Sequence, residues 1–185
     1  MQLVLCSASP RRRELLERVG VSFSVAPAHI DESQRPGEPA LAYVARMALE
    51  KSAAGARPGI AALGADTIVV KGEEVLGKPR DRSDAERILR ALSGAEHRVI
   101  TAVAIAGLRA IAVTTFVKFA PLSDAQVRWL AASGDGDDKA GAYAAQGLAG
   151  AFIERIEGSF TNVVGLPLPE TLRLLQEAGV ELPWT

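Results

Sequence analysis

The chain of 185 residues carries a single cysteine, Cys6, so no internal disulfide can form, and a lone thiol fits a reducing compartment. Histidine is almost as scarce. Neither His29 nor His97 has a cysteine or a second histidine at ligand spacing, which argues against a zinc site. Aromatic residues make up 5% of the chain, leaving little surface for stacking bases, and no motif that reads RNA or DNA is present. The formal net charge is -1, so any phosphate binding has to come from a local basic cluster rather than from a general attraction to polyanions. No uninterrupted apolar run comes near about twenty residues, so no membrane-spanning helix is expected. The opening Met1-Gln2-Leu3-Val4-Leu5-Cys6 is too short for a signal-peptide core and lacks a basic lead-in. Its likeness to a lipoprotein cleavage site is discounted, because no apolar region precedes it. These absences predict a cytoplasmic protein with neither membrane nor nucleic acid as partner.

What is present is ordinary for a globular enzyme: 48% hydrophobic and 23% charged residues, in a length suited to one domain spanning residues 1–185. Residues 3–6 read as a buried strand. Ser9 and Pro10 then open a helix that stops at Gly20. Residues 21–25 alternate as a second strand, and residues 29–39 form a polar loop broken by Pro36, Gly37 and Pro39. Residues 40–54 form a helix, residues 60–70 a strand, and residues 71–73 its turn. Ser83 with Glu86, and Ser123 with Gln126, have capping-box spacing. Residues 98–106 and 110–119 read as a hairpin joined at Gly107, and residues 151–156 and 160–164 as a second hairpin. Pro169 starts a last helix that closes at Gly179. Strands and helices mix without strict alternation, which predicts an α/β fold with a mixed sheet and flanking helices; two lobes around a cleft are compatible with it.

Three segments carry chemistry. In Ser7-Ala8-Ser9-Pro10-Arg11-Arg12-Arg13, three cations sit in the first turn of a helix, where each is unfavourable by about 0.3–1 kcal/mol. An anionic ligand resolves that conflict through backbone N–H groups, hydroxyls and guanidinium forks. The competing reading sends the arginines to solvent or to Glu14 and Glu17. In Gly64-Ala65-Asp66-Thr67-Ile68-Val69-Val70, a carboxylate interrupts an apolar strand and needs a divalent metal, a nearby lysine or backbone donors. Asp31-Glu32, Lys51 and Lys78-Pro79 add carboxylates of the kind that hold hard cations alongside phosphates, and ammonium groups that neutralise a leaving pyrophosphate. Each of these alone reads as a solvated charge; only their combination with the arginine turn and Asp66 strengthens the case for phosphate chemistry.

Taken together the segments closely resemble the Maf family of nucleotide pyrophosphatases. The likeness rests on Ser7-Ala8-Ser9-Pro10-Arg11-Arg12, Ile30-Asp31-Glu32, Glu50-Lys51, Gly64-Ala65-Asp66-Thr67 and Gly77-Lys78-Pro79. It continues through Leu92-Ser93-Gly94, Asp138-Lys139-Ala140-Gly141-Ala142-Tyr143, Gln146-Gly147 and Asn162-Val163-Val164-Gly165-Leu166-Pro167. The order and spacing match nearly end to end. The resemblance implies a Maf-like fold with a central substrate cleft, a divalent cation (Mg²⁺ or Mn²⁺), and hydrolysis between the α and β phosphates. It implies Asp66 as the catalytic proton acceptor. On that reading Glu32 and Asp66 hold the metal, and Ser7, Ser9, Arg11, Arg12, Lys51 and Lys78 bind phosphate. The family's dTTP/UTP branch carries Arg, Thr and Gln at three specificity positions, matched here by Arg12, Thr67 and Gln146. A 7-methyl-GTP branch, with Trp, Gln and Glu there, is the alternative within the family. A nucleotide-binding regulator of septum formation is the alternative outside enzymology, and a homodimer is left open. Ala144-Ala145 departs from the glycine and aliphatic residue frequent before Gln146 in this branch, which puts the loop's shape in question.

Overall fold

The computed structural model describes residues 1–184 and has the expected α/β class. Along the chain run β1 (Gln2–Leu5), α1 (Pro10–Arg18), β2 (Ser24–Val25), α2 (Ala40–Ala54), β3 (Ile60–Lys71), β4 (Glu74–Leu76) and α3 (Arg82–Leu92). They are followed by β5 (Glu96–Ile105), β6 (Ala110–Phe119), α4 (Asp124–Ser133), β7 (Ile153–Glu157), α5 (Phe160–Val164) and α6 (Leu168–Glu177). The strands form one mixed sheet in the order β2-β1-β3-β5-β6-β7, with β4 paired to β3. β1 is parallel to β2 and β3, whereas the β3–β4 and β6–β7 pairs are antiparallel. Among the described residues no helix is long and apolar enough to cross a membrane.

Local chemistry accounts for most boundaries. Six of the fifteen residues of α2 are alanine, a strong helix former, and Gly55 follows its last residue. The Ser123–Gln126 capping box forms in full: Ser123 Oγ accepts from Gln126 N, and Gln126 Oε1 accepts from Ser123 N. The Ser83–Glu86 spacing does not cap α3. Asp81 does so instead, its Oδ1 accepting from Asp84 N at 2.8 Å, because an aspartate two residues earlier is an equally good cap. Strand β2 covers only two residues of the expected five. Residues 71–73 turn the chain into a hairpin that the sequence pattern did not reveal, with Gly72 at φ 58.

The expected second hairpin is a correction. Residues 160–164 form the short helix α5, and β7 pairs with β6. Phe160-Thr161-Asn162-Val163-Val164 has strand-like composition, but Ser159 overrides it by acting as a cap. Its Oγ accepts from Asn162 N at 3.2 Å, while its own N donates to Thr115 Oγ1 at 3.0 Å.

The chain divides into two compact units. The first comprises residues 1–66, 101–113 and 165–185; its sheet region is built on Val4, Cys6 and Ala62, with Ile60 and Ala106 packed against them. The second comprises residues 67–100 and 114–164. Its core joins Val69, Leu76, Ile88, Leu89, Leu92, Phe119, Val127 and Tyr143. Fully burying a side chain the size of Phe119 contributes about 1.5–3 kcal/mol.

Candidate active site

In the first unit, the residues expected to carry chemistry gather just past the end of β1 and at the middle of β3. Side chains two apart on a strand share a face, so Gly64 and Asp66 point the same way from β3. Gly64 is there because α2 touches the strand: a Cβ at this position would lie 2.1 Å from Ala48 O and 2.4 Å from Ser52 N. That contact brings in Lys51, which belongs to the inward stripe Val44, Met47, Ala48, Lys51 and Ser52 of α2. Lys51 Nζ lies 2.7 Å from Asp66 Oδ1 and 2.9 Å from Glu32 Oε1. Lys51 and Asp66 are buried, while the Glu32 side chain is 50% exposed. Two carboxylates from distant segments therefore meet on one ammonium, and the sequence reading that Asp66 needs a cation or donors is satisfied by a lysine.

The β1–α1 turn supplies the other half. Ser7 is buried at the end of β1, and its Oγ accepts from Ser9 N at 3.3 Å and from Arg12 Nη1 at 2.8 Å. Ser9 is the N-cap of α1 but makes no side-chain capping bond. The three arginines part company. Arg12 is buried, donating through Nη1 to Ala65 O at 2.9 Å and through Nε to Gly165 O at 2.9 Å. Burial lowers its pKa, and the carboxylate of Asp66 acts in the opposite direction. Arg13 is exposed and pairs with Glu17 at 3.6 Å, as the competing reading supposed, and Arg11 is half-buried. Arg12 thus ties the basic turn to the residue next to Asp66 and to Gly165, whose φ of 121 favours glycine.

Thr67, Lys78 and Gln146 lie in the second unit. Thr67 follows Asp66 in β3 and is half-buried; Lys78 and Gln146 are exposed. Gly141 N donates to Gly77 O at 3.1 Å, which joins the segment before Lys78 to the segment before Gln146. Tyr143 Oη and His97 Nε2 are 2.8 Å apart in the core, and Leu148 N donates to Asp135 Oδ2 at 3.0 Å, so the loop is held on both sides of Gln146. Ala144 is buried without a positive φ, so the missing glycine costs no backbone strain.

A divalent cation is compatible with the donor set. No group of three or more His, Cys, Asp or Glu side chains that could hold an ion occurs among the described residues. Glu32 and Asp66 offer two hard oxygen donors, which suits Mg²⁺ or Mn²⁺ completed by phosphate oxygens and water. Sequence reasoning missed three residues around Glu32: Glu38, Tyr43 and Arg46. Arg46 is bonded to Glu38 at 2.6 and 2.7 Å, and Tyr43 Oη to Glu32 O at 2.7 Å. The signal was the helical spacing of Tyr43 and Arg46 on the helix that carries Lys51.

Comparison with known proteins identifies the family. The sequence profile described as Maf-like protein matches residues 2–178. A dTTP/UTP pyrophosphatase of Anaeromyxobacter sp. strain Fw109-5 is 55% identical, over 99% of this chain and 92% of its own. The dTTP/UTP pyrophosphatase of Myxococcus xanthus is 52% identical, over 98% and 95%. That of Shewanella oneidensis is 51% identical, over 97% and 100%. With its profile matched almost throughout and relatives of this identity along nearly their whole length, the chain belongs to the Maf-like protein family.

Proposed function

We propose that this protein hydrolyses dTTP and UTP to the nucleoside monophosphate and pyrophosphate. One observation carries the chemistry: the Lys51 ammonium lies within hydrogen-bonding distance of both Asp66 and Glu32, beside a turn whose Arg12 is anchored to Ala65 O. The names of the relatives carry the choice of substrate and favour it over 7-methyl-GTP.

On this reading Asp66 accepts a proton from water as the water oxygen bonds to the α-phosphorus. The bond from that phosphorus to the bridging oxygen breaks, and pyrophosphate leaves with the bonding electrons. Lys51, Lys78 and Arg11 neutralise charge on the departing oxygens. Ser7 and Ser9 hydrogen-bond the phosphates, while Arg12 keeps the turn against β3 and adds positive charge. Glu32 and Asp66 would hold a divalent cation, which would supply further neutralisation of the substrate's charge. Thr67 and Gln146 select the base, with Arg12 as the third specificity position. An amide such as Gln146 offers both a donor and an acceptor, which suits a pyrimidine edge of alternating carbonyl and N–H.

Hydrolysis in ¹⁸O-water tests the bond cleaved. Label in the monophosphate is expected; label in pyrophosphate, or orthophosphate as first product, sinks the assignment. Asp66→Asn tests the proton acceptor and should slow turnover by roughly 10²–10⁴-fold. Full activity in that variant rules out the role.

A further inference from the structure

Glu32 has no strand or helix to place it, since it lies in the irregular segment between β2 and α2. Two side chains of α2 hold its backbone instead. Tyr43 Oη donates to Glu32 O at 2.7 Å, and Arg46 Nη2 donates to Ser33 O at 3.0 Å. These are consecutive carbonyls held by residues about one helical turn apart, because positions i and i+3 are neighbours on a helix surface. Arg46 also forks onto Glu38, Nε to Oε1 at 2.6 Å and Nη2 to Oε2 at 2.7 Å. Glu38 in turn accepts from Arg35 N at 3.0 Å through Oε2, and its carbonyl accepts from Gln34 Nε2 at 2.8 Å. Asp31 Oδ1 closes the other side, accepting from Ser33 N and Ser33 Oγ at 2.9 and 2.6 Å.

From this geometry we propose that Arg46 and Tyr43 are positioning residues that fix Glu32 at its distance from Lys51, and thereby set the affinity of the Glu32–Asp66 pair for a divalent cation. The inference rests on the reading of Glu32 as a metal ligand. The helix that carries the Lys51 ammonium thus also dictates where the second carboxylate stands. An ordinary surface ion pair makes a poor positioning device, because two flexible side chains must be ordered for little gain. This one differs: the contact is bidentate, the Arg46 and Glu38 side chains are 15% and 10% exposed, and the same guanidinium holds a backbone carbonyl. Hydrogen bonding from Arg46 brings the Glu38 carboxyl down to about 2, so the clamp stays charged throughout the neutral range.

The test measures Mn²⁺ affinity by electron paramagnetic resonance on the full chain with a non-hydrolysable UTP analogue. Variants are Glu32→Gln, Arg46→Met, Arg46→Lys, Tyr43→Phe and the doubles with Glu32→Gln. Loss of a partner that orients a metal ligand weakens binding by roughly 10- to 100-fold. Arg46→Met should weaken Mn²⁺ within that range, Arg46→Lys less. In the Glu32→Gln background Arg46→Met should add nothing, because its effect runs through Glu32. An equal loss in both backgrounds, or unchanged affinity in Arg46→Met while Glu32→Gln is impaired, overturns the positioning role and spares the reading of Glu32. Unchanged affinity in Glu32→Gln overturns both. Should Arg46→Met fail to fold, Tyr43→Phe, which removes only one oxygen, is judged by the same criteria.

Discussion

Lys51 Nζ and Asp66 Oδ1 lie 2.7 Å apart, joining the inward stripe of α2 to the end of the first unit's share of β3. Both groups are buried, so each is the other's answer to the cost of leaving water. Removing one partner of such a pair typically costs about 3–5 kcal/mol, because the survivor stays buried without its counter-charge. Lys51→Met should therefore destabilise strongly in urea titrations, and Asp66→Asn less, because Lys51 keeps the Glu32 carboxylate at 2.9 Å. The double variant should lose less than the sum, by about 0.5–3 kcal/mol of coupling. Strict additivity contradicts the pairing.

Gly64 should not tolerate a methyl group. The added Cβ of Gly64→Ala would fall within van der Waals overlap of two backbone atoms of α2, and overpacking of this kind costs about 1–3 kcal/mol or more. Gly77→Ala, whose Cβ meets nothing within 4 Å, should stay within about 0.5 kcal/mol. Comparable midpoints for the two variants in denaturant would refute the close approach.

The buried His97 makes stability depend on pH. Burial first, and Lys71 second, depress its pKa from 6.5 to about 4. Below 6.5 the unfolded chain therefore takes up a proton that the folded chain refuses. The contribution is fully present above 6.5 and is lost as pH falls towards 4, to the extent of on the order of 3 kcal/mol. The melting temperature should drop between about pH 7 and pH 5, a range above the values of about 2 held by Glu38 and Asp84. His97→Gln should flatten that limb. An equally steep limb in the variant would show that another group is responsible.

Gln146→Glu should reduce turnover of UTP more than it disturbs the fold, since Gln146 is exposed. Replacing an amide donor with an acceptor-only carboxylate leaves a base carbonyl unpaired, at about 1–3 kcal/mol or roughly ten- to a hundredfold in kcat/KM. The ratio of UTP to 7-methyl-GTP turnover should shift towards the purine. A ratio unchanged from wild type means that Gln146 does not read the base.

Local elements were legible wherever one residue type dominates its own backbone: α2 through its alanines, α4 through Ser123 and Gln126, and the β5–β6 connection through Gly107 at φ 83. The site was legible as an inventory. Asp66 in an apolar strand and Arg12 in a first turn are each costly in isolation, and a cost of that sort shows in sequence, whereas Lys51 alone reads as a solvated charge. The geometry was not. That Lys51 bridges Asp66 and Glu32, that Arg12 spends its donors on Ala65 O and Gly165 O, and that Arg46 holds the Glu32 loop depend on where α2 and the β1–α1 turn come to rest. Residues 160–164 make the same point from the other side: their composition favours a strand, but Thr115, distant in sequence, takes the Ser159 N–H and leaves Ser159 to start a helix. Periodicity and capping act within a few residues, so the sequence alone determined most of the elements, α5 and β4 excepted, and the residue types of the candidate site. Which side chains satisfy one another across long separations was decided only by the tertiary packing, because a buried charge takes whichever partner the packed elements bring within reach.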